Sequence, residues 1–197
     1  MKKSIYVVLV LAFVVAIGLV ACVKCTERAE LGVEILEFLS TSYSQRHFTD
    51  QPISDEIVNQ ILVAGHRAGS AGNLQPWHFT VIRNRALIDD IMSNVTEENV
   101  LIVVSGPRVH PRGFSVEFDT ALATQSMFLA AQALGLGARM YVVPIRNLNE
   151  NLLDRLDLPE DYRAVMVLRI GYESPDVDQT TAASPRQPLE NKVNFIN

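Results

Sequence analysis

Two side-chain amides stand close together in a stretch that could bind a polar heterocycle. Residues 69–77 read GSAGNLQPW and include Asn73, Gln75 and the only tryptophan of the chain, Trp77. An amide offers a donor and an acceptor together, so both residues can recognise the edge of a polar ring. The glycines allow the backbone to approach a ligand closely. The alternative interpretation is a helix-to-strand loop followed by a core tryptophan, because glycine, serine and asparagine are common in loops.

A second stretch, residues 42–48 with the sequence SYSQRHF, combines hydroxyl groups with an arginine. Ser42, Tyr43 and Ser44 carry the hydroxyls, and Arg46 follows them. A planar guanidinium donates two parallel hydrogen bonds, which suits a phosphate. The alternative interpretation is the C-terminal end of a helix followed by a solvated arginine.

Helices and strands alternate along the part of the chain that must position these two stretches. Apolar spacing and capping residues predict helices over 30–41, 54–68 with Ser54 as the N-cap, 85–94, 117–134, and 148–156 with Asn147 and Glu150 as a capping pair. Short apolar runs predict strands at 77–82, 100–105, 138–143 and 164–171. Residues 172–197 form an extended polar tail. This order predicts a mixed α/β or α+β sheet covered by helices.

Composition excludes several functional classes. The chain has 197 residues, of which 48% are apolar, a content that suits one domain with a real core. Its net charge is −5 without a cluster of lysines and arginines, so we expect no nucleic-acid partner. Both cysteines lie near the N-terminus, and the four histidines lack ligand spacing, so we predict no metal site. Because no dinucleotide loop, Walker A loop or G-x-S-x-G elbow is present, an enzyme built on this chain would rely on a cofactor.

The N-terminus has the pattern of a targeting segment. Lys2 and Lys3 precede an uninterrupted apolar run of 16 residues, Ile5 to Val20, and a small residue precedes Cys22. The segment resembles a bacterial lipoprotein signal, in which Cys22 is lipidated. We therefore predict a signal peptide over 1–21, a linker over 22–29 and a domain over 30–197, anchored to a membrane of the cell envelope. The alternative is a single uncleaved membrane anchor.

Several blocks in order resemble the FMN-dependent nitroreductase family. The block SAGNLQPWHF at 70–79 is similar to the family's S-x-x-N-x-Q-P-W motif almost letter for letter. Three further groups of residues match the family's start, central helix and closing segments: SQRHF with DQPI at 44–53, the helix from Asp119 to ALGLG ending at Gly137, and PRQPLE at 185–190 together with Pro159 and Gly171. The resemblance covers residues 30–197.

The resemblance implies an α+β fold with a central mixed or antiparallel sheet flanked by helices, in a homodimer that binds FMN at the subunit interface. It assigns the first FMN-binding segment, the contacts near the flavin ring made by the second subunit, the backbone segment that passes the isoalloxazine, and a phosphate ligand. In that order these are Ser42, Tyr43, Ser44 and Arg46; Ser70 and Asn73; Pro144 and Ile145; and Arg186.

The implied activity is the transfer of two electrons from NAD(P)H, or another redox donor, to a nitroaromatic, quinone or similar small molecule. No residue presents itself as a catalytic acid or base. Ser42 and Ser184 stand where the family commonly has basic residues. That departure keeps a second hypothesis open, a membrane-tethered flavin- or ligand-binding protein of the same fold with little or no turnover. A third hypothesis retains the enzyme but changes the reaction, for example to reductive dehalogenation.

Overall fold

The computed structural model describes residues 28–175 and 185–196, which divide into two compact units at the boundary between Ser42 and Tyr43. In the first unit, residues 28–41 are helical and belong to helix α1, and they include the helix predicted over 30–41. The Ser42 hydroxyl donates to the Phe38 carbonyl at 2.7 Å and closes this helix. The predicted signal peptide and Cys22 lie outside the described residues. Within the described part of the chain, no helix is both long and apolar enough to cross a bilayer.

The second unit is built around a four-stranded sheet in the order β1-β2-β4-β3. Its strands are β1 His78–Ile82, β2 Val100–Pro107, β3 Gly137–Tyr141 and β4 Tyr162–Gly171. Every pairing is antiparallel, so the antiparallel form of the predicted sheet is confirmed. The β-branched run of β2 is buried along nearly its whole length, as expected for a central strand covered on both faces.

Helices cover both faces of the sheet. Because successive strand side chains point to opposite faces, Ile102 and Val104 pack with helices α2 (Asp55–His66) and α4 (Val116–Ala133). Leu101 and Val103 pack with helix α3 (Arg85–Ile91) and with an irregular helical segment, Ile145–Arg155, on the other face. The fold is therefore α+β, with two apolar layers that enclose β2.

Local capping explains where most helices begin. The Ser54 hydroxyl accepts from the Ile57 amide at 3.3 Å, which confirms the predicted N-cap of α2. The Ser115 hydroxyl does the same for α4, accepting from the Phe118 amide at 3.2 Å.

The predicted capping pair of Asn147 and Glu150 is wrong. The helical segment begins at Ile145, and Asn147 lies inside it with helical backbone angles and no capping bond. Its side-chain amide instead donates to the Asp90 carbonyl at 2.9 Å. A tertiary contact has taken the group that the local pattern assigned to the cap. Helix α3 also ends earlier than predicted, at Ile91.

Candidate functional site

The stretch with the two amides is a tight loop between α2 and β1. It contains a single short 3₁₀ turn, Ala71–Asn73, and three consecutive or near-consecutive residues with positive φ: Gly72 at 60°, Asn73 at 55° and Gln75 at 50°. The Ser70 hydroxyl accepts from the Gln75 amide at 2.9 Å and closes the loop. Asparagine tolerates the left-handed region better than most residues, so the sequence allows this unusual backbone.

A buried carboxylate fixes the loop from beneath. Asp119, on the first turns of α4, is fully buried. Its Oδ1 accepts from the Ala71 amide at 2.9 Å, and its Oδ2 lies 3.2 Å from Nε2 of the equally buried side chain of His110. A buried carboxylate has to be compensated by donors, so the loop and the helix constrain each other. Sequence reasoning gave neither residue a role, although an aspartate among the buried residues of α4 was a usable signal.

The polar tips of the loop remain accessible. Asn73 and Gln75 are exposed, and the Gln75 amide nitrogen lies 3.2 Å from Asn73 Oδ1. Within the part of the chain that the structure describes, the Asn73 amide nitrogen has no acceptor. Trp77 is buried and stacks on Phe79, with ring centroids 6.5 Å apart. The tryptophan therefore belongs to the core, while the Asn73 amide nitrogen is available to a ligand.

The second candidate segment is held by Gln45, which sequence reasoning passed over. Its backbone amide donates to the Ala138 carbonyl on β3 at 3.0 Å. The side-chain oxygen of Gln45 accepts from the amides of Arg46 at 2.7 Å and His47 at 3.1 Å. Gln45 is buried against Gly137, where a Cβ atom would lie 2.6 Å from the glutamine side chain. Segment 43–47 is thus pinned to β3 by one buried amide.

Tyr43 lies half-buried at the start of this segment. Its hydroxyl accepts from Gln45 Nε2 at 2.9 Å and lies 3.5 Å from Glu173 Oε2. Burial, followed by the charge of Glu173, raises the pKa of Tyr43. The phenol therefore stays protonated near neutral pH and remains a donor. Ser44 and Arg46 are both exposed beside it.

The remaining predicted site residues, Pro144, Ile145 and Arg186, lie outside these two segments. Pro144 is buried and precedes the irregular helical segment, and Ile145 is half-buried at its first position. Arg186 is exposed in the separate described stretch 185–196. Among the described residues, no group of three or more histidine, cysteine or acidic side chains is arranged to hold a metal ion.

The two candidate segments are anchored at opposite ends of α4. Asp119 holds the loop at Ala71, and Gln132 holds the other segment by donating from Nε2 to the Tyr43 carbonyl at 2.9 Å. These two anchors are thirteen residues apart in an 18-residue helix. At 1.5 Å per residue they are separated by about 20 Å along the axis. One chain therefore offers two half-sites and not one continuous pocket.

Known proteins resemble this chain in sequence and in fold. The nitroreductase family profile matches residues 40–102, which contain both candidate segments. A protein of Archaeoglobus fulgidus, provisionally named NADH dehydrogenase/NAD(P)H nitroreductase, is 33% identical over 155 residues, 74% of this chain and 88% of the relative. The oxygen-insensitive NADPH nitroreductase of Salmonella typhimurium is 27% identical over 79% of this chain and 70% of its own length.

A solved structure agrees with the sequence relatives. The crystal structure of a provisionally named nitroreductase in complex with FMN, from Desulfovibrio desulfuricans, has a TM-score of 0.67 and 27% identity. The comparison covers 83% of this chain and 96% of that structure. The sequence match, the shared fold and the loop of residues 69–77, which we call the motif loop, agree. This chain belongs to the nitroreductase family.

Proposed function

We propose that this member of the nitroreductase family, an FMN-dependent oxidoreductase, transfers two electrons from NAD(P)H to a nitroaromatic, quinone or similar small acceptor. The observation that carries the proposal is the rigid loop with the family motif, fixed by Asp119 and open at Asn73. Flavin carries the redox chemistry, and the protein supplies binding, orientation and electrostatics.

The residues of the two half-sites fit an FMN. Arg46 and Arg186 are exposed guanidinium groups suited to a phosphate. The Asn73 amide is a donor without an acceptor among the described residues. Bound FMN would supply the chemistry of hydride uptake and electron return. The chain would hold its phosphate through the arginines and hydrogen-bond its ring edge through Ser70 and Asn73, with Pro144 and Ile145 contributing backbone.

We further propose that two copies of the chain complete each flavin site. The two half-sites lie at opposite ends of α4, so a twofold axis that pairs α4 with its copy in antiparallel orientation would bring unlike ends together. Helix α4 is apolar on its buried side and also exposes Phe118 by 63% and Leu122 by 39%. A helix that is apolar on all sides is normally covered. Sedimentation of the protein with and without FMN tests this: a monomer that binds FMN stoichiometrically at micromolar concentration would contradict it.

The N-terminal pattern supports a third part of the proposal, that Cys22 is lipidated and anchors the enzyme in the cell envelope. In a Cys22→Ala variant we expect an uncleaved, unlipidated precursor. A variant that still matures to the lipidated form would contradict the assignment. An outward-facing enzyme would meet little NAD(P)H, so another membrane redox partner is the alternative donor.

Visible spectroscopy tests the central proposal. The purified protein should show the absorbance bands of bound flavin, and anaerobic NADPH or NADH should bleach them. Addition of a nitroaromatic or quinone should restore the bands. The tethered binding protein would instead be supported if neither nucleotide bleaches the bound flavin and if the acceptor does not reoxidise flavin that dithionite has reduced. A protein that binds no flavin would contradict both the FMN-dependent enzyme and a tethered protein that binds flavin.

A further inference from the structure

A second loop, residues 110–114, is fastened to the motif loop by the buried pair of His110 and Asp119. Asp119 accepts from the Ala71 amide through Oδ1 and is bonded to His110 through Oδ2. One carboxylate on α4 therefore fixes two loops relative to each other. Because both side chains of the pair have no exposed surface, this arrangement persists without help from solvent.

The remaining nitrogen of His110 fixes the backbone of the second loop. Nδ1 lies 3.1 Å from the Arg112 amide and 3.3 Å from the Phe114 amide. A backbone N–H can only donate, so Nδ1 is the acceptor and the ring proton sits on Nε2, where it is donated to Asp119. His110 and Asp119 are thus positioning residues for Arg112.

The Arg112 side chain lies directly on the motif loop. A Cβ atom at Gly72 would be 2.6 Å from Arg112 Nη1 and 3.2 Å from Cζ. A side chain at position 72 would displace the guanidinium from this place, and only glycine takes the φ of 60° there without strain. The cation is therefore next to Ser70 and Asn73, the residues assigned to the flavin ring.

No carboxylate neutralises this cation among the residues that the structure describes. The two acidic residues nearest in sequence on α4 are occupied, since Glu117 pairs with Arg163 and Asp119 pairs with His110. Arg112 is exposed. An exposed guanidinium without a counter-charge, on a residue whose backbone is fixed by His110, is suited to an anionic ligand group.

We propose that Arg112 is a specificity-determining residue that binds an anionic group, a carboxylate or a phosphate, on the molecule that reacts at the flavin. The assignment rests on the proposed function, because that function puts the ring beside Ser70 and Asn73. Two molecules could bring the anion: the nucleotide donor through its phosphates, or an acceptor that carries an acidic group.

Matched charged and neutral probes test the assignment in the full-length, FMN-loaded protein. Binding of 4-nitrobenzoate and of 4-nitrobenzamide is measured by the change in flavin absorbance, without turnover. KM is measured for NADPH and for the phosphate-free donor 1-methyl-1,4-dihydronicotinamide. Arg112→Gln should weaken either nitrobenzoate or NADPH by roughly tenfold or more, the scale of a charge-assisted hydrogen bond. The neutral partner of that pair should change by less than about twofold.

Arg108→Gln is the matched control. Arg108 is also exposed and loses the same charge, but it lines a groove with Asp154, Asp157 and Asp161 instead of the motif loop. It should leave both probe pairs unchanged, while Arg112→Lys should restore part of the lost discrimination. In wild type, binding of the charged probe should also weaken as salt is raised.

The possible outcomes separate the two proposals. A loss confined to nitrobenzoate identifies the acceptor as the anionic partner, and one confined to NADPH identifies the donor. If Arg112→Gln changes charged and neutral probes equally, or changes neither, the Arg112 assignment is overturned while the flavin enzyme stands. If wild type holds no flavin, the proposed function fails, and the Arg112 assignment fails with it.

Discussion

Two loops that lead into neighbouring strands are built in similar ways and used differently. Residues 69–77 enter β1, and residues 92–99 enter β2. Each contains two non-glycine residues with positive φ: Asn73 and Gln75 in the first, Asn94 and Glu98 in the second. Each is also anchored by one buried charged side chain from elsewhere in the fold, a carboxylate in the first and a guanidinium in the second.

The second loop turns two of its polar side chains, those of Thr96 and Asn99, into the fold. Arg169 on β4 is only 5% exposed and donates to Asn99 Oδ1 and Thr96 Oγ1, both at 2.9 Å. Its guanidinium also lies over the Phe48 ring, 4.1 Å from the centroid. The Asn99 amide nitrogen in turn donates to the Thr49 carbonyl at 2.8 Å. The side chains of Thr96 and Asn99 are therefore used within the fold, while Glu97 and Glu98 remain exposed.

The first loop is fixed through its backbone, which leaves its side chains available. Within this loop Asp119 accepts only from the Ala71 amide, while Asn73 and Gln75 stay exposed. A binding site needs groups that are held in position and yet unsatisfied, and anchoring through the main chain provides both. The comparison favours the first loop for the proposed flavin contact, while the second loop is tied into the fold through Thr96 and Asn99.

The largest effect should come from Arg169→Met, which keeps most of the stem but removes the donors. The buried Asn99 and the half-buried Thr96 would then be left with unpaired acceptors, and the free energy of unfolding should fall by about 2–4 kcal/mol. Denaturant unfolding measures this. Arg139→Met, on the adjacent strand and half-buried over Tyr141, is the control and should cost less than about 1 kcal/mol. Equal losses in the two variants would refute the anchoring role of Arg169.

Asp119→Ala should separate the loops by function. It removes the acceptor for the Ala71 amide and the partner of His110, which should lower the free energy of unfolding by about 1.5–3 kcal/mol. It should also weaken FMN binding, whereas folded Arg169→Met should bind FMN as wild type does. Flavin fluorescence titration of both variants below their unfolding transitions makes the comparison. The distinction between site and structural loop is lost if both variants, or neither, weaken FMN.

The sequence predicted the elements well wherever the determining residues are neighbours in the chain. The Ser54 cap depends on an amide three residues away, and β2 is a continuous run of β-branched and leucine residues. The motif loop could be recognised from its letters alone. These features follow from local stereochemistry and hydrophobic pattern.

The anchors of the site could not be predicted, because their partners are distant. Asp119 meets Ala71 across 48 positions, and Gln45 meets Ala138 across 93 positions. Which polar residue pairs with which amide is decided only when strands and helices have packed. The predicted cap at Asn147 was wrong for the same reason, since the Asp90 carbonyl on another helix binds the Asn147 side-chain amide. Sequence reasoning therefore named the residues proposed to face a ligand and missed those that hold them in position.

Replacing single glycines tests how closely the motif loop is fixed. Gly72→Ala would place a methyl group against Arg112 and retain a φ of 60°, so it should cost about 1–2 kcal/mol of stability. Gly69→Ala meets no atom within 4 Å and should change the free energy of unfolding by less than about 0.5 kcal/mol. Thermal and denaturant unfolding of the pair measures the contrast. A Gly72→Ala protein as stable as Gly69→Ala would indicate a loop that adjusts freely, contrary to a preorganised site.

The smallest effect should come from Arg163→Gln, which removes the partner of an exposed carboxylate two positions from Asp119. A hydrogen bond from its own backbone amide, and then the Arg163 guanidinium, hold the pKa of Glu117 below its ordinary value. A lowered folded-state pKa stabilises the protein above the ordinary pKa of a glutamate, and this contribution is lost as the pH falls through the folded value. Because the Glu117 side chain is 59% exposed, solvent screening limits the contribution of the pair to less than about 1 kcal/mol.

Arg163→Gln should therefore raise the pKa of Glu117, which NMR titration measures. It should reduce stability slightly at neutral pH, but hardly at all under acid conditions where Glu117 is protonated. FMN binding should not change. If this surface pair proved as important for stability or flavin binding as Asp119, burial of the carboxylate would not be what distinguishes the anchor of the motif loop.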